Sequence, residues 1–265
     1  MDVSIIIPLY RPDPELLQRI QKSLDEQEFS RRKEVLFINN GGLAQNINKG
    51  IRKARYGIVV VLEQDCIPSG KSWLQNLTEP LKEEGIVASV SRVHLPEDLW
   101  KRFDVFARAL TLHERGPITP LMDEKGCAFN KSALQRLGLF NEKDFRTAGE
   151  DFDMYLKLRS AGKIVYPDCE IIHVHPTRWK QRLFKNYQYA NGYGALVRKY
   201  KRRMPRWYAG IIKSTPILGM LAFSMSYPFR RGLFLYPFYL LLTPILHFMY
   251  VWAFWKGFLS GRQTV

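Results

Sequence analysis

The sequence predicts an α/β protein with an open, mostly parallel sheet flanked by helices, followed by membrane-associated helices at the C-terminus. Strand-like and helix-like segments alternate over the first 170 residues, the order typical of such sheets. The apolar runs 3–9 and 58–62 are unbroken, as in strands that are buried on both faces. Residues 233–255 carry no charge, and these 23 residues are long enough to span a bilayer.

The individual elements follow from hydrophobic spacing and from turn residues. Leu16, Ile20 and Leu24 recur at helical spacing, and Asn39-Asn40-Gly41-Gly42 is a strong turn signal after the second strand. We predict strands over residues 3–9, 34–38, 58–62, 86–93, 163–166 and 171–172, and helices over 14–27, 43–54, 72–82, 96–112 and 154–161. Ligands of such sheets bind at the carboxyl ends of the strands, so the residues just after each strand are the candidate site residues.

The net charge of +15 is distributed unevenly along the chain. Up to residue 170 there are 25 basic and 25 acidic side chains, whereas residues 171–265 hold 15 basic side chains and no acidic one. This pattern argues against a uniformly basic nucleic-acid-binding protein and indicates a neutral domain followed by a region that faces anions. The cysteines, Cys66, Cys127 and Cys169, form no CxxC pair, so we expect reduced thiols in a cytosolic setting.

The basic region leads directly into apolar sequence. Residues 178–206 interleave basic and aromatic side chains, and an anionic leaflet attracts such a segment by about 1 kcal/mol per Lys or Arg. We therefore predict binding to an anionic membrane and no nucleic-acid partner. The positive-inside rule places the basic segment and the N-terminal domain at the cytoplasmic face.

The C-terminal apolar sequence consists of two stretches. The first, 207–229, contains Lys213, Pro216 and Pro228, and it could span the bilayer, re-enter it or lie in its interface. Only residues 230–232 separate it from the stretch 233–255, which implies a tight helical hairpin. We expect three regions: a domain over 1–177, a basic amphipathic juxtamembrane segment over 178–206 and a membrane-associated hairpin over 207–265.

Two carboxylates follow the third strand, in Glu63-Gln64-Asp65. At i and i+2 on a sharp turn they can project into one pocket, and oxygen ligands of this kind suit Mg²⁺ or Mn²⁺. The alternative interpretation is an ordinary polar turn.

A second acidic pair, Glu150 and Asp151, opens an amphipathic segment. A helix N-terminus favours negative charge, so helix capping is one interpretation. The other is that Asp151 acts as a general base.

Two histidines, His173 and His175, follow the last strand-like segment. Their i, i+2 spacing places both imidazoles on one side of an extended chain, where one could complete a metal site. A structural role is the alternative interpretation.

Six segments in this order resemble family-2 glycosyltransferases, including rhamnosyltransferase-like members of cell-envelope synthesis. They are VSIIIPLY, Gly42 to Ile51, Val61 to Pro68 with Trp73-Leu74, GCAFNKSALQRLGLFNEKDF, AGEDFDMYLKLRSAGKIVYPD and HVHPT. The resemblance covers residues 3 to about 195. Two features depart from the family pattern: Asn39-Asn40 stands where an Asp usually contacts the nucleotide base, and Glu63 replaces the first acid of the DXD motif.

The resemblance implies a GT-A catalytic domain that transfers a sugar with inversion from a nucleotide diphospho-sugar to a hydroxyl. It implies that Asp65, with His173 or His175, holds Mg²⁺ or Mn²⁺, and that Asp151, beside Glu150, takes the acceptor proton. The residues expected to bind the donor are Pro8, Tyr10, Asn39, Asn40, Asn46, Gly50, Glu63 and Gln64. The membrane segments point to a lipid-linked or envelope glycan acceptor. The alternative is a membrane-anchored binding or scaffold protein with a decayed transferase fold.

Overall fold

A computed structural model describes residues 1–122, 124–174, 177–204 and 206–264. The chain divides into two compact units, each built from three segments. We call the first the sheet unit, which comprises Met1–Leu95, Gly116–Glu142 and Glu150–His175. We call the second the helical unit, which comprises Pro96–Arg115, Lys143–Gly149 and Pro176–Val265.

The described residues form ten strands and eleven α-helices. The strands are β1 Val3–Pro8, β2 Lys33–Ile38, β3 Ile58–Val61, β4 Cys66–Pro68, β5 Ile86–Val90, β6 Arg92–Leu95, β7 Gly116–Ile118, β8 Cys127–Asn130, β9 Lys163–Val165 and β10 Glu170–His173. The helices are α1 Pro14–Asp25, α2 Leu43–Lys53, α3 Trp73–Thr78, α4 Glu97–Lys101, α5 Val105–Thr111, α6 Lys131–Arg136, α7 Glu150–Ala161, α8 Trp179–Tyr200, α9 Trp207–Lys213, α10 Pro216–Met225 and α11 Tyr236–Ser260.

The sheet unit is built on a six-stranded sheet of order β2-β1-β3-β8-β5-β9. All neighbours in it are parallel except β8, which runs antiparallel to both β3 and β5. The predicted open, mostly parallel sheet with flanking helices is therefore confirmed. The sequence analysis missed β8, because four residues are too few to show a period. A smaller sheet of order β4-β10-β6-β7 lies in the same unit.

Both faces of the large sheet are covered, as the unbroken apolar strands predict. Successive side chains of β1 alternate between two hydrophobic clusters: Ile6 packs on one side, and Ile5 and Ile7 on the other. The first cluster includes Ile47 of α2, and the second includes Ile20 of α1. Cys66, Cys127 and Cys169 are buried in the described part of the chain, and none of the three is in a disulfide.

Three predicted elements are divided in the structure. The strand expected over 86–93 is two strands in different sheets, because the chain leaves the large sheet at Ser91, whose buried hydroxyl accepts a 2.9 Å bond from the Trp73 indole. The helix expected over 96–112 is α4 and α5, since the Asp104 carboxylate caps a new helix through the Ala107 N–H. The helix expected over 72–82 ends at Thr78 and continues as a 3-10 turn that contains Pro80.

The helical unit is organised around the pair α8 and α11. Glycines allow their backbones to approach closely, since a Cβ on Gly194 would lie 2.1 Å from the Phe254 carbonyl oxygen. Asn191, which is fully buried, adds polar contacts: its Nδ2 donates to the Ala253 carbonyl, and its Oδ1 accepts from the Thr264 N–H at 2.8 Å. The polar side chain is thus satisfied inside an apolar interface, as burial requires.

Among the described residues, α11 is the one helix long and apolar enough to cross a membrane. The preceding stretch is not a straight span, because α9 and the helical segment Pro216–Arg231 meet at 110°. Pro216 stands in the first turn of α10, where its missing N–H cannot continue the ladder from α9. Of the three arrangements left open for 207–229, the bend is compatible with a re-entrant or interfacial one.

A test of the packing between α2 and β1 is the Gly50→Ala substitution. A Cβ at Gly50 would lie 2.3 Å from Cγ2 of Ile6, so we expect overpacking to cost about 1–3 kcal/mol. Such a loss lowers the thermal unfolding midpoint by about 2–4 °C per kcal/mol in a protein of this size. The matched control is Gly57→Ala, because no atom lies within 4 Å of a Cβ there. Equal midpoints for the two variants would contradict this packing.

Candidate functional site

Four side chains with metal-binding atoms come together after β3. They belong to Glu63, Asp65, Cys66 and His173, and one ligand atom of each lies within 4.8 Å of the others. Glu63 and Asp65 are half-buried, and the other two are buried. The carboxylates of the third-strand turn and one of the two predicted histidines thus share one location.

Strand pairing in the smaller sheet produces this arrangement. β4 and β10 are antiparallel with His173 opposite Cys66, and the Val174 N–H donates to the Asp65 carbonyl at 2.8 Å. The register therefore sets His173 beside Asp65, where its Nε2 is 3.3 Å from Oδ2 of the carboxylate. Only 2% of the His173 surface is exposed, so the imidazole has little freedom to move away.

The donor set suits a hard divalent cation. Two carboxylates and one imidazole match the ligands that Mn²⁺ accepts, and Mg²⁺ favours carboxylates. Two ligands of one octahedral ion at about 2.1 Å lie about 3 Å apart, close to the 3.3 Å between His173 and Asp65. The Cys66 thiol donates to Asp65 Oδ1 at 3.6 Å, which orients the carboxylate. His175, the other predicted ligand, lies outside the described residues.

Gln64 joins two of the loops at this edge of the sheet. Its Oε1 accepts from the Tyr10 N–H at 2.7 Å, and its Nε2 donates to the Tyr10 carbonyl at 2.8 Å. The amide is therefore used to hold the chain that leaves β1, while the Tyr10 side chain is 68% exposed. Tyr10 thus presents an aromatic ring at the carboxyl end of β1.

The other predicted donor-binding residues fall into two groups. Pro8 ends β1, and Asn39 and Asn40 are exposed directly after the parallel neighbour β2, so these three lie at the same edge as the acidic cluster. Asn46 is buried, and its amide donates to the Leu9 and Gly41 carbonyls, which ties together the loops after β1 and β2.

Gly50 is a residue that the structure does not bring to this edge. It lies inside α2 and is packed against Ile6 of β1. Its absence of a side chain is required for that close contact between helix and sheet.

The acidic pair stands at the N-terminus of α7. Glu150 is 2% exposed. Its pKa is raised well above the ordinary value, mainly by burial and further by the neighbouring Asp151 and Glu63 carboxylates. The positive charge of Lys125 acts in the opposite direction and lowers it. The charge of Glu63 thus acts on the pKa of Glu150, which links the acidic start of α7 to the turn after β3. Asp151 is half-buried, and its Oδ1 accepts from the Phe152 N–H at 2.6 Å. That bond is compatible with a helix-end role for Asp151.

Sequence reasoning missed three residues of this region. Cys66 was treated only as a reduced thiol, although it directly follows Asp65. Lys125 acts on Glu150, and Glu124 beside it is 3% exposed. The available signal was the position of these charges just before the apolar residues 127–129, which begin β8, Cys127–Asn130. Since β8 was not predicted, that signal had no structural context.

Two family models match the chain. The model described as Glycosyl transferase family group 2 matches residues 101–256, more than half of the chain, and the one described as Glycosyl transferase family 2 matches residues 15–138. The chain therefore belongs to glycosyltransferase family 2, which confirms the resemblance. Its class is that of nucleotide-sugar glycosyltransferases. A search of curated protein sequences finds no match.

Solved structures support the fold. A mannosyltransferase, PcManGT from Pyrobaculum calidifontis, in complex with GDP-Man and Mn²⁺ is 20% identical with a TM-score of 0.58, over 92% of this chain and 73% of that chain. GalNAc-T7 with UDP, GalNAc and Mn²⁺ is 15% identical with a TM-score of 0.51, over 65% of this chain and 43% of that one. The predicted GT-A fold is confirmed.

Removing a ligand atom tests the metal cluster. We expect Asp65→Asn and His173→Gln each to weaken Mn²⁺ binding by more than about tenfold, because even outer-shell partners of metal ligands are worth about 10- to 100-fold in affinity. The measurement is a titration of the full chain with Mn²⁺, in which the electron paramagnetic resonance signal reports the concentration of the free ion. Asp25→Asn, an exposed position at the end of α1, is the control. Unchanged affinity in both cluster variants would exclude this cation site.

The raised pKa of Glu150 predicts a pH-dependent stability. Between the ordinary value of 4.5 and the raised pKa, the folded chain binds more protons than the unfolded chain, so stability falls as pH rises through this window. Glu150→Gln removes this loss. We expect the thermal midpoint of the variant, relative to the unsubstituted chain, to increase as pH rises from 4.5 in EDTA. A constant difference between the thermal midpoints of the two proteins across the pH series would contradict the raised pKa.

Proposed function

We propose that this chain is an inverting, metal-dependent hexosyltransferase. It transfers a sugar from a nucleotide diphospho-sugar to a hydroxyl of a lipid-linked or cell-envelope glycan at the cytoplasmic face of the membrane. The observation that carries the proposal is the cluster of Glu63, Asp65 and His173, electrostatically coupled to the acidic start of α7. Family membership supplies the reaction class, and the cluster supplies the groups that this reaction needs.

In the proposed site, Asp65, Glu63 and His173 hold Mg²⁺ or Mn²⁺ at the carboxyl end of β3. Such an ion neutralises the charge that develops on a departing diphosphate. Both solved relatives described above contain Mn²⁺, one with GDP-Man and the other with UDP. Tyr10, Asn39 and Asn40 lie at the same strand edge and are assigned to the nucleotide. Gln64 supports this surface by holding the Tyr10 backbone.

We assign acceptor deprotonation to Asp151. The acceptor oxygen forms a bond to the anomeric carbon, its proton passes to the Asp151 carboxylate, and the bond to the diphosphate breaks with its electron pair on the leaving group. Asp151 is only half-buried, so an acceptor hydroxyl can approach it more easily than Glu150, which is 2% exposed. Burial and the neighbouring Asp151 and Glu63 carboxylates raise the pKa of Glu150, which disfavours a second full charge directly beside Asp151.

The membrane assignment draws on the helical unit. That unit contains 21 Lys and Arg against five Asp and Glu, and it contains α11, the helix of membrane-spanning length. Anionic lipid headgroups complement this charge. The acceptor is therefore assigned to the lipid-linked or envelope glycans that are built at a membrane.

The Asp151→Asn substitution tests the base. General-base catalysis contributes about 10²–10⁴ to a rate, so we expect a loss of that size in sugar transfer with donor affinity retained. Transfer is measured with the full chain, a panel of nucleotide sugars, Mn²⁺ and a membrane extract as acceptor, and donor affinity by calorimetry. Asp25→Asn is the charge-matched control, as Asp25 is exposed at the end of α1.

Two outcomes would contradict the proposal. Near-normal transfer by Asp151→Asn would remove the assignment of the base. Absence of both transfer and uncoupled donor hydrolysis in the unsubstituted chain would favour the alternative of a decayed transferase that acts as a binding or scaffold protein.

A further inference from the structure

The helical unit contains a cavity of about 630 Å³ that the proposed chemistry does not use. Side chains of α5, α8, α9, α10 and α11 line it, so every wall belongs to this one unit. Its volume lies within the range of about 300–1,000 Å³ that is typical of small-molecule sites.

The walls favour an apolar occupant. Leu110, Leu183, Leu246 and Met249 contribute hydrocarbon surface. The wall also includes tyrosines whose hydroxyls are already used by the backbone, since they donate to nearby carbonyl oxygens. These bonds are Tyr239 to Phe223 at 3.1 Å, Tyr250 to Gly210 at 3.4 Å and Tyr193 to Arg206 at 3.4 Å. A ligand therefore meets ring surfaces and aliphatic side chains more than polar groups.

One cation stands in this wall. Lys213 is half-buried at the end of α9, and its Nζ lies 5.6 Å from the centroid of the Phe223 ring. Throughout the described chain, no carboxylate forms an ion pair with Lys213. The other basic side chain of the wall is His113, whose pKa is lowered mainly by burial. An ammonium in an apolar wall is stabilised by an anion, which completes the pair.

The same helices present apolar side chains outward. On α10, Ile217 is 74% exposed and Met225 75% exposed, and on α11 Leu241 and Phe248 are similarly exposed. Apolar surface of this extent marks contact with lipid or with a partner. The excess of 21 basic over five acidic side chains in the unit favours an anionic lipid surface over an apolar protein partner.

We propose that this cavity binds the hydrocarbon chain of a lipid phosphate, with the phosphate paired to Lys213. The inference deepens the proposed function and rests on it, because it identifies the acceptor class as a sugar acceptor carried on a phosphate-bearing lipid. The apolar cavity accounts for binding of a hydrocarbon chain. Lys213, which forms no ion pair with a carboxylate in the described part of the protein, accounts for binding of the phosphate. The outward apolar face accounts for access from the membrane. A soluble sugar or nucleotide would use none of these three features.

The first experiment measures binding of alkyl phosphates to the full chain in nanodiscs of neutral lipid, with empty nanodiscs as the blank. Hexyl, octyl and decyl phosphate should bind about fourfold more tightly per added methylene, the factor that corresponds to about 0.8 kcal/mol. Inorganic phosphate and octyltrimethylammonium should each bind at least tenfold more weakly than octyl phosphate. Equal binding of inorganic phosphate would reduce the site to a simple anion site and overturn the proposal.

Variants separate the cation from the cavity. Lys213→Gln should weaken octyl phosphate binding at least tenfold, Lys213→Arg should restore most of it, and Lys256→Gln, at an exposed position of α11 outside the cavity wall, should leave it unchanged. Ala209→Phe, which fills the cavity from α9, should abolish the dependence on chain length. Equal losses in the Lys213→Gln and Lys256→Gln variants, or a retained chain-length dependence in Ala209→Phe, would overturn the proposal.

A donor-binding measurement distinguishes this inference from the function on which it rests. The same variants are examined for a thermal shift by nucleotide sugar with Mn²⁺, which also reports whether they fold. Lys213→Gln should keep the shift, because the residue has no role in holding the donor. If the unsubstituted chain shows the shift but binds no alkyl phosphate, the lipid inference alone fails. If the shift is absent, the proposed function fails first.

Discussion

The antiparallel pairing of β4 with β10 is the constraint on which the candidate site depends. It places His173 opposite Cys66 and joins Val174 to Asp65 through the backbone, so an imidazole from residue 173 meets a carboxylate from residue 65. The 3.3 Å between their side-chain atoms follows from this register. Because side chains alternate along a strand, a shift of the pairing by one residue would turn His173 away from the acidic turn.

Around this pairing the chain concentrates negative charge. Glu63 and Asp65 come from the turn after β3, and the charge of Glu63 acts on Glu150 at the start of α7. Burial and the nearby carboxylates raise the pKa of Glu150, which is the expected response to like charges in a poorly hydrated place. A divalent cation would relieve the same repulsion. The electrostatics and the ligand chemistry therefore both favour a divalent cation at this edge of the sheet.

The two units differ in the physical problem that they solve. The sheet unit buries apolar strands between helices and leaves its polar groups at the carboxyl ends of the strands. The helical unit combines an excess of positive charge with exposed apolar side chains and an internal cavity. Such a combination suits the boundary between water and lipid, where both kinds of surface find a partner.

Local chemistry was sufficient to predict much of this protein. The unbroken apolar runs of β1 and β3 predicted a buried parallel sheet, and the order of six motifs predicted the family and hence the GT-A fold. The position of the acidic turn Glu63-Gln64-Asp65 after a predicted strand was enough to nominate Asp65 as a candidate ligand. These features depend on neighbours in sequence, so periodicity and turn residues report them.

The tertiary structure decided which of the nominated residues meet. It brought His173 to Asp65 and Gln64 to Tyr10, it assigned Gly50 to helix packing, and it added Lys125 to the surroundings of Glu150. It also divided residues 86–95 between two sheets and bent the first apolar stretch by 110°. Sequence alone determined the longer elements, such as β1, β3 and α2, and the chemistry of the turns between them, because both are local. Contacts between residues 65 and 173 depend on strand register across more than a hundred residues, and only the folded chain specifies it.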